Sequence, residues 1–467
     1  MRKNKSKYKK LSMREVRRIN PCGTSKICLP SDLNEINRRQ LLIGGACLTA
    51  YLPLSKFIFP SLYAQESYPI KKKLVWINMR GGWDILEVTD PKVSSTSGID
   101  MIYDWGLANQ VSGSAGTKIG RWLPNIAAIG EDLLVVRGVA MGTTSHNAGS
   151  VYMDTGVLSN SGNVNAASIP AIVASQGAST IPIIQLNGGS DPQTDRGLLN
   201  PVSVVRANNL SLYRSMFPED SSEIDKKLSV MNYVKDSIEQ LKGEIGSTDR
   251  LTEIASAEEK VRTQFSQNVG QKLSLTDAEL STFVEGAPEN FNTGMAQSFA
   301  LALKLIKEDI VDVVNLGVGG FDTHSNQSIS LERTLTSVDF AIGSFVSGLK
   351  AAGKLDSTLI VLYSDFGRTP KINNSNGRDH WPVGGALMIG GSISGGRSVG
   401  ATDDDLRALY VHKDTGVTID ENDPNAVQLS PAHIGGSVLE LTLGSDYMKY
   451  RDSYLYNIPA LTKLKKS

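Results

Sequence analysis

Four short runs in this chain combine carboxylate and imidazole donors: Asp84 in RGGWD, Asp322 and His324 in GGFDTHSNQ, Asp365 in SDFGRTP, and Asp379 with His380 in GRDHWP. Hard oxygens and imidazoles drawn from distant parts of a chain form the mixed donor set that zinc, manganese or iron accepts. Carboxylates crowded into one site repel, so a cation is the natural compensation, either a bound ion or the guanidinium of Arg368. Taken singly, each acid also has an ordinary explanation as a helix N-cap or a turn former. A second chemistry is offered by GTTSHNAG, where Thr143, Thr144 and Ser145 lie between an expected strand and an expected helix. That geometry exposes a hydroxyl nucleophile and aims backbone N–H groups at an anion, with His146 and Asn147 as further donors; ordinary helix capping is the alternative.

The elements that must position these residues are legible in the same runs. LVWINM, VDVVNLGV and TLIVLY are rich in Val, Ile and Leu and about seven residues long, as strands of a parallel sheet covered on both faces are. Each run ends at one of the acids, and ligands of such sheets bind beyond the carboxyl ends of the strands. The Gly-Gly turns at 81–82 and 319–320 let backbone and side chains converge there. Further strands are expected over 132–138 and 181–186, and helices over 121–128, 293–307 and 330–352. Strands alternating with helices predict a doubly wound α/β fold. From about 208 to 289 the texture becomes charged and helix-favouring, and Leu228, Met231, Val234, Ile238 and Leu241 recur at helical spacing. This predicts a helical insertion that packs over the sheet or acts as a lid, or else offers a surface to a protein partner. Of the remaining histidines, His412 is expected to face solvent and His433 to lie in the first turn of a helix that starts at Ser430-Pro431.

At 467 residues the chain can bury a large core. Of its 48 basic and 48 acidic residues, 13 and 3 fall in residues 1–64, which leaves 35 and 45 for the remainder. A mildly acidic body argues against nucleic acid as a partner. Cys22, Cys28 and Cys47 all lie in that first stretch, so a thiolate metal site and a cysteine nucleophile are excluded after it. Residues 37–43, NRRQLLI, precede an apolar stretch of about fourteen residues, roughly 21 Å as a helix and too short to cross a core of about 30 Å. The stretch resembles a twin-arginine export signal, with cleavage expected after Ala64. An uncleaved anchor or a lipid-modified Cys47 are the alternatives. A periplasmic or extracellular location and the twin-arginine export machinery as a partner follow from that resemblance, with residues 1–64 as signal and 65–467 as the functional domain.

Taken together, RGGWD, GGFDTHSNQ, SDFGRTP, GRDHWP, GGSISGG and GATD resemble the bacterial family of domains numbered 1501, over roughly residues 74–443. That family is placed among the alkaline-phosphatase-like metallohydrolases. The resemblance implies an α/β sandwich with a bimetal centre and a Ser or Thr nucleophile acting on a phosphoryl or sulfuryl ester of a small molecule or polymer; with the departures below, one or two divalent ions, zinc or manganese, are expected. Carried over by position, Asp84, Asp322, His324, Asp365 and His380 would hold metal. Thr144 would be the nucleophile, with Ser145 as the alternative, and Arg368 or Asn147 would steady the anion. Two departures stand out: acid and histidine are two apart at Asp322 and His324 rather than four, and the usual Asp-His pair is Asp365-Phe366. A ligand is thereby lost unless Asp379 or His146 replaces it. GTTSHNAG also lacks the proline that formylglycine sulfatases need. Two functions follow as expectations: an exported metal-dependent ester hydrolase, or a non-catalytic envelope protein that keeps the fold for binding or assembly.

Overall fold

Strand β1 (Lys73–Met79) forms the middle of the sheet, and its side chains from Leu74 to Met79 are buried on both faces. The structure is a computed structural model. It describes residues 72–444 apart from 93–98, 191–201, 207–219, 247–254, 256–257, 260–261, 290 and 392, together with residues 461 and 464. The expected export signal, its cleavage point and all three cysteines lie outside the described residues.

After β1 come α1 (Pro124–Ala128), β2 (Leu133–Ala140), α2 (His146–Thr155), α3 (Ile169–Ser175), β3 (Ile181–Leu186), β4 (Val204–Arg206) and α4 (Ser221–Ile245). The second half adds α5 (Thr293–Lys307), β5 (Val311–Val318), α6 (Gln327–Ala351), β6 (Thr358–Tyr363), the two-residue strands β7 (Gly367–Arg368) and β8 (His380–Trp381), β9 (Val383–Gly390), β10 (Arg397–Val399) and α7 (Pro431–Leu443). The eight-stranded sheet runs β10-β2-β9-β6-β1-β5-β3-β4. Only β9 is antiparallel to its neighbours, β2 and β6; the pairs of β1 with β5 and β6, β3 with β4 and β5, and β10 with β2 are parallel. The protein is therefore an α/β fold with a mostly parallel central sheet. Strands β5, β6 and β9 are buried at every position, which is why they read as continuous apolar runs rather than alternating ones.

Helices cover the sheet in two groups, α2, α3 and α7 in one, α1, α5 and α6 in the other. Leu74 and Trp76 share a core with Ile169 and Ile172 of α3 and with Val438 and Leu439 of α7. Val75 and Ile77 alternate with them, point from the other face and are equally buried. Helix α6 buries Leu331, Leu335, Val338, Ile342, Phe345 and Leu349 at spacings of three and four. Helix α1 is shorter than the expected 121–128, because Pro124 occupies its first turn, where a missing N–H costs nothing. Within the expected insertion the described helices include α4, a helical stretch over 262–266 and two short helices, Val269–Lys272 and Asp277–Ser281. Among the described residues no helix is long and apolar enough to cross a membrane.

This topology puts the chemistry on one edge. Strands β1, β2, β5 and β6 all end there, and antiparallel β9 begins there, just after His380 and Trp381. Ala140, the last residue of β2, pairs with Val383, the first of β9.

Candidate metal centre

Three of the five histidines point one ring nitrogen at a single carboxylate. His324 Nε2 lies 3.1 Å and His380 Nε2 3.5 Å from Asp322 Oδ1, and His146 Nε2 lies 3.6 Å from Asp322 Oδ2. The Nε2 atoms of His324 and His380 are themselves 3.0 Å apart. His146, Asp322 and His380 offer donor atoms that all lie within 4.8 Å of one another.

Each ring is oriented through its other nitrogen by an acceptor. His380 Nδ1 is 2.8 Å from the carbonyl oxygen of Thr144, His324 Nδ1 is 3.0 Å from Asp379 Oδ1, and His146 Nδ1 is 2.5 Å from Asp365 Oδ2. A carbonyl or carboxylate only accepts, so Nδ1 carries the proton in all three rings, assigned from these partners. In the neutral imidazoles the three Nε2 lone pairs then face Asp322. Lone pairs converging on an anion repel unless a cation, proton or metal, stands between them. Metal-ligating histidines characteristically donate their second N–H to a carboxylate or carbonyl, as these do.

The local chain explains how the donors meet. Asp322 follows β5 through Gly319 and Gly320, where the chain runs against Gly81. Gly81 has φ +116°, and a Cβ there would stand 2.4 Å from the backbone nitrogen of Asp322, so only glycine permits the approach. The Gly81 N–H donates to both oxygens of Asp365, at 3.3 and 3.2 Å. His146 opens α2 directly after Ser145, the N-cap residue. His380 is held by the ribbon of β7 and β8, where it pairs with Arg368. Phe366, fully buried, lies 4.7 Å ring to ring from His146 and 4.4 Å from His380. Phe366 is thus an apolar wall against which the two imidazoles rest.

Arg368 brings a fixed positive charge to the same acid. Its side chain is wholly buried, donates from Nε to Gly82 O at 2.7 Å, from Nη1 to Arg378 O at 3.0 Å and from Nη2 to Gly81 O, and reaches Asp322 Oδ1 at 2.6 Å. Partial burial works to raise the Asp322 carboxyl, but the hydrogen bond and charge of Arg368 outweigh it and hold the group below its ordinary value. The hydrogen bond to Asp365 raises His146. Burial pushes His380 down, against the Thr144 carbonyl and with help from Arg368 and the neighbouring imidazoles. The His324 hydrogen bond lowers Asp379. The site is open: the side chains of Asp322 and His324 are 53 % and 47 % exposed.

The remaining expected site residues fall elsewhere. Asp84 is not in this group. It is fully buried, 2.8 Å from Arg378 Nε in an ion pair misaligned for a hydrogen bond, and it accepts from Gln327 Nε2 at 2.5 Å and Leu86 N at 3.0 Å. Asp365 and Asp379 touch histidines rather than Asp322. Thr144 and Ser145 are exposed beside the group, and Ser145 makes no side-chain cap. Asn147 turns away, donating to Ser161 O at 3.4 Å. His433 is buried in the first turn of α7, where it closes a capping box with Ser430, and burial lowers it to about 4. His412 is half-buried on a separate hairpin. A cavity of about 560 Å³ between α1 and α6 shares no residue with the His/Asp group.

Sequence reasoning undervalued His146 and passed over Arg378. The signal for the first was the lost histidine at Phe366, which called for a replacement; for the second, the basic residue directly before Asp379 in GRDHWP.

The model of the family described as "Protein of unknown function (DUF1501)" matches residues 71–420. No curated protein matches the sequence. Solved structures similar to the chain include a sulfatase from Pseudoalteromonas sp., at 12 % identity and a TM-score of 0.33, covering 79 % of this chain and 70 % of that one. The soluble domain of lipooligosaccharide phosphoethanolamine transferase A from Neisseria meningitidis is 12 % identical, with a TM-score of 0.35 and coverage of 86 % and 96 %. A lipoteichoic acid synthase from Listeria monocytogenes is 10 % identical, with a TM-score of 0.32 and coverage of 87 % and 98 %. At scores of this size no function transfers from them.

Proposed function

The chain belongs to the DUF1501 family, and from that premise we propose that it is an exported metal-dependent hydrolase of phosphate or related sulfate esters. The observation that carries this reading is the convergence of three imidazole Nε2 atoms on Asp322, each ring oriented from behind by an acceptor. In it, His146, Asp322, His324 and His380 hold one divalent ion, zinc or manganese. Asp365 and Asp379 are the carboxylates that orient His146 and His324, and Asp84 is a structural acid. When bound, such an ion polarises an ester oxygen and lowers the pKa of a nearby hydroxyl or water.

The protein's own groups supply the rest. The hydroxyl of Thr144 or Ser145 stands at the open N-terminus of α2, where unpaired N–H groups and the helix dipole favour an anion. Arg368 cannot move away from Asp322, because three backbone carbonyls hold its guanidinium. It offers preorganised positive charge to an oxyanion without reorganisation. Export is supported by the basic residues before NRRQLLI and the short apolar stretch after it, with residues 65–467 as the exported domain.

The test is turnover of p-nitrophenyl phosphate, its diester and p-nitrophenyl sulfate with added zinc or manganese. Asp322→Ala and His380→Ala should each lower the rate by about a hundredfold or more, and Thr144→Ala and Ser145→Ala should identify which hydroxyl reacts. A metal-loaded wild type that turns over no ester, or ligand variants as active as wild type, would leave the non-catalytic envelope protein as the better account, with the helices of 208–289 as its contact surface.

A further inference from the structure

One cation on the site's edge of the sheet lies close against the fold yet is paired with nothing among the described residues. Arg80 follows β1 directly, is exposed, and makes no side-chain hydrogen bond or ion pair with another described residue. Its backbone is tied into the site: its N–H donates to Val318 O at 2.8 Å, and the next residue, Gly81, binds Asp365 and Arg368.

The side chain lies across the turn that ends β3, so that a Cβ on Gly188 would stand 3.2 to 3.4 Å from its guanidinium atoms, and one on Gly319 would stand 3.5 Å from Nη2. That turn is a built floor. Gly188 has φ +68° and Asn187 φ 47°, Asn187 Nδ2 donates to Gly317 O at 2.9 Å, and Gln185 Nε2 donates to Gly189 O at 2.6 Å and Ser190 O at 2.9 Å. A planar guanidinium resting on a glycine floor, with no partner for its donors among the described residues, is the arrangement suited to a carboxylate, phosphate or sulfate. Gly319 is three residues before Asp322, so a fully extended chain between them spans at most about 11 Å. Both therefore lie within reach of one small ligand beyond the carboxyl ends of the strands.

We infer that Arg80 is a specificity residue binding a second anionic group, so that the preferred substrate carries a phosphate, sulfate or carboxylate besides the ester that reacts. The inference rests on the hydrolase reading above and deepens it.

The test is calorimetric titration of the zinc-loaded full chain with methylphosphonate and with alkane-α,ω-diphosphonates of increasing length. At least one diphosphonate should bind about tenfold more tightly than methylphosphonate, a gain of about 1.4 kcal/mol. Arg80→Gln should abolish that gain while leaving methylphosphonate affinity unchanged, which also shows that the variant is folded, and Arg80→Lys should restore part of it. Methylphosphonate binding with no diphosphonate gain, or a gain that survives Arg80→Gln, overturns the role of Arg80 alone. A wild type that binds no phosphonate overturns it together with the hydrolase reading.

Discussion

Arg368 and Arg378 are both wholly buried, and each answers an aspartate at the end of a strand, yet the two aspartates live in opposite conditions. Asp84 is sealed, with Arg378, Gln327 and the Leu86 N–H consuming its oxygens. Asp322 is more than half exposed: Arg368, His324 and His380 all meet its Oδ1, and His146 faces its Oδ2. A strand-end acid is thus equipped for chemistry by what its surroundings leave unsatisfied rather than by its position. Arg378 is spent on structure. Besides its ion pair with Asp84, it donates to Thr369 O at 2.8 Å and to Pro370 O and Asp100 O, tying the 99–103 segment to the 369–370 turn.

The sharpest way to break this contrast is to remove one partner from each pair. Arg378→Met strands a buried carboxylate and should cost about 3–5 kcal/mol of unfolding free energy in denaturant titration. Asp322→Asn, at an exposed position whose arginine keeps three backbone acceptors, should change the stability of the metal-free protein by no more than about 1 kcal/mol. Equal costs at the two sites would erase the distinction.

A smaller effect distinguishes the sealed region by pH. Burial raises both Asp84 and Glu87; Arg378 favours the charge on Asp84, and Glu87, beside that charge and with Oε2 lacking any hydrogen bond, is pushed up to about 8. Glu87 therefore stays protonated in the fold at neutral pH but ionises on unfolding near its ordinary value of 4.5. Its stabilising effect is complete below 4.5 and is lost as pH rises through about 8, because the native state holds the extra proton. Glu87→Gln should flatten this decline when unfolding is measured across that window. An unchanged slope would place the proton elsewhere.

Much of the fold was legible because parallel strands buried on both faces leave uninterrupted apolar runs, as in Val311–Val318 and Thr358–Tyr363. The direction of β9 was not, since VGGALMIG is buried throughout and reads alike either way. At the site, the grouping of Asp322, His324 and His380 at strand ends followed from motif and position. The burial of Asp84 did not, because its partners Gln327 and Arg378 come from far along the chain and only the folded packing pairs them. His146 was hidden for a related reason: its role depends on Asp365 lying behind its ring, a contact made across the sheet between the ends of β2 and β6.

Metal content tests the central claim most directly. Elemental analysis of the chain purified without chelator, followed by titration with zinc and manganese, should give about one ion per chain. The Asp322→Ala/His380→Ala double variant should remain folded and hold none. A wild type that is metal-free and refuses both ions, or a double variant that keeps its ion, would contradict the assignment of His146, Asp322, His324 and His380 as a metal centre.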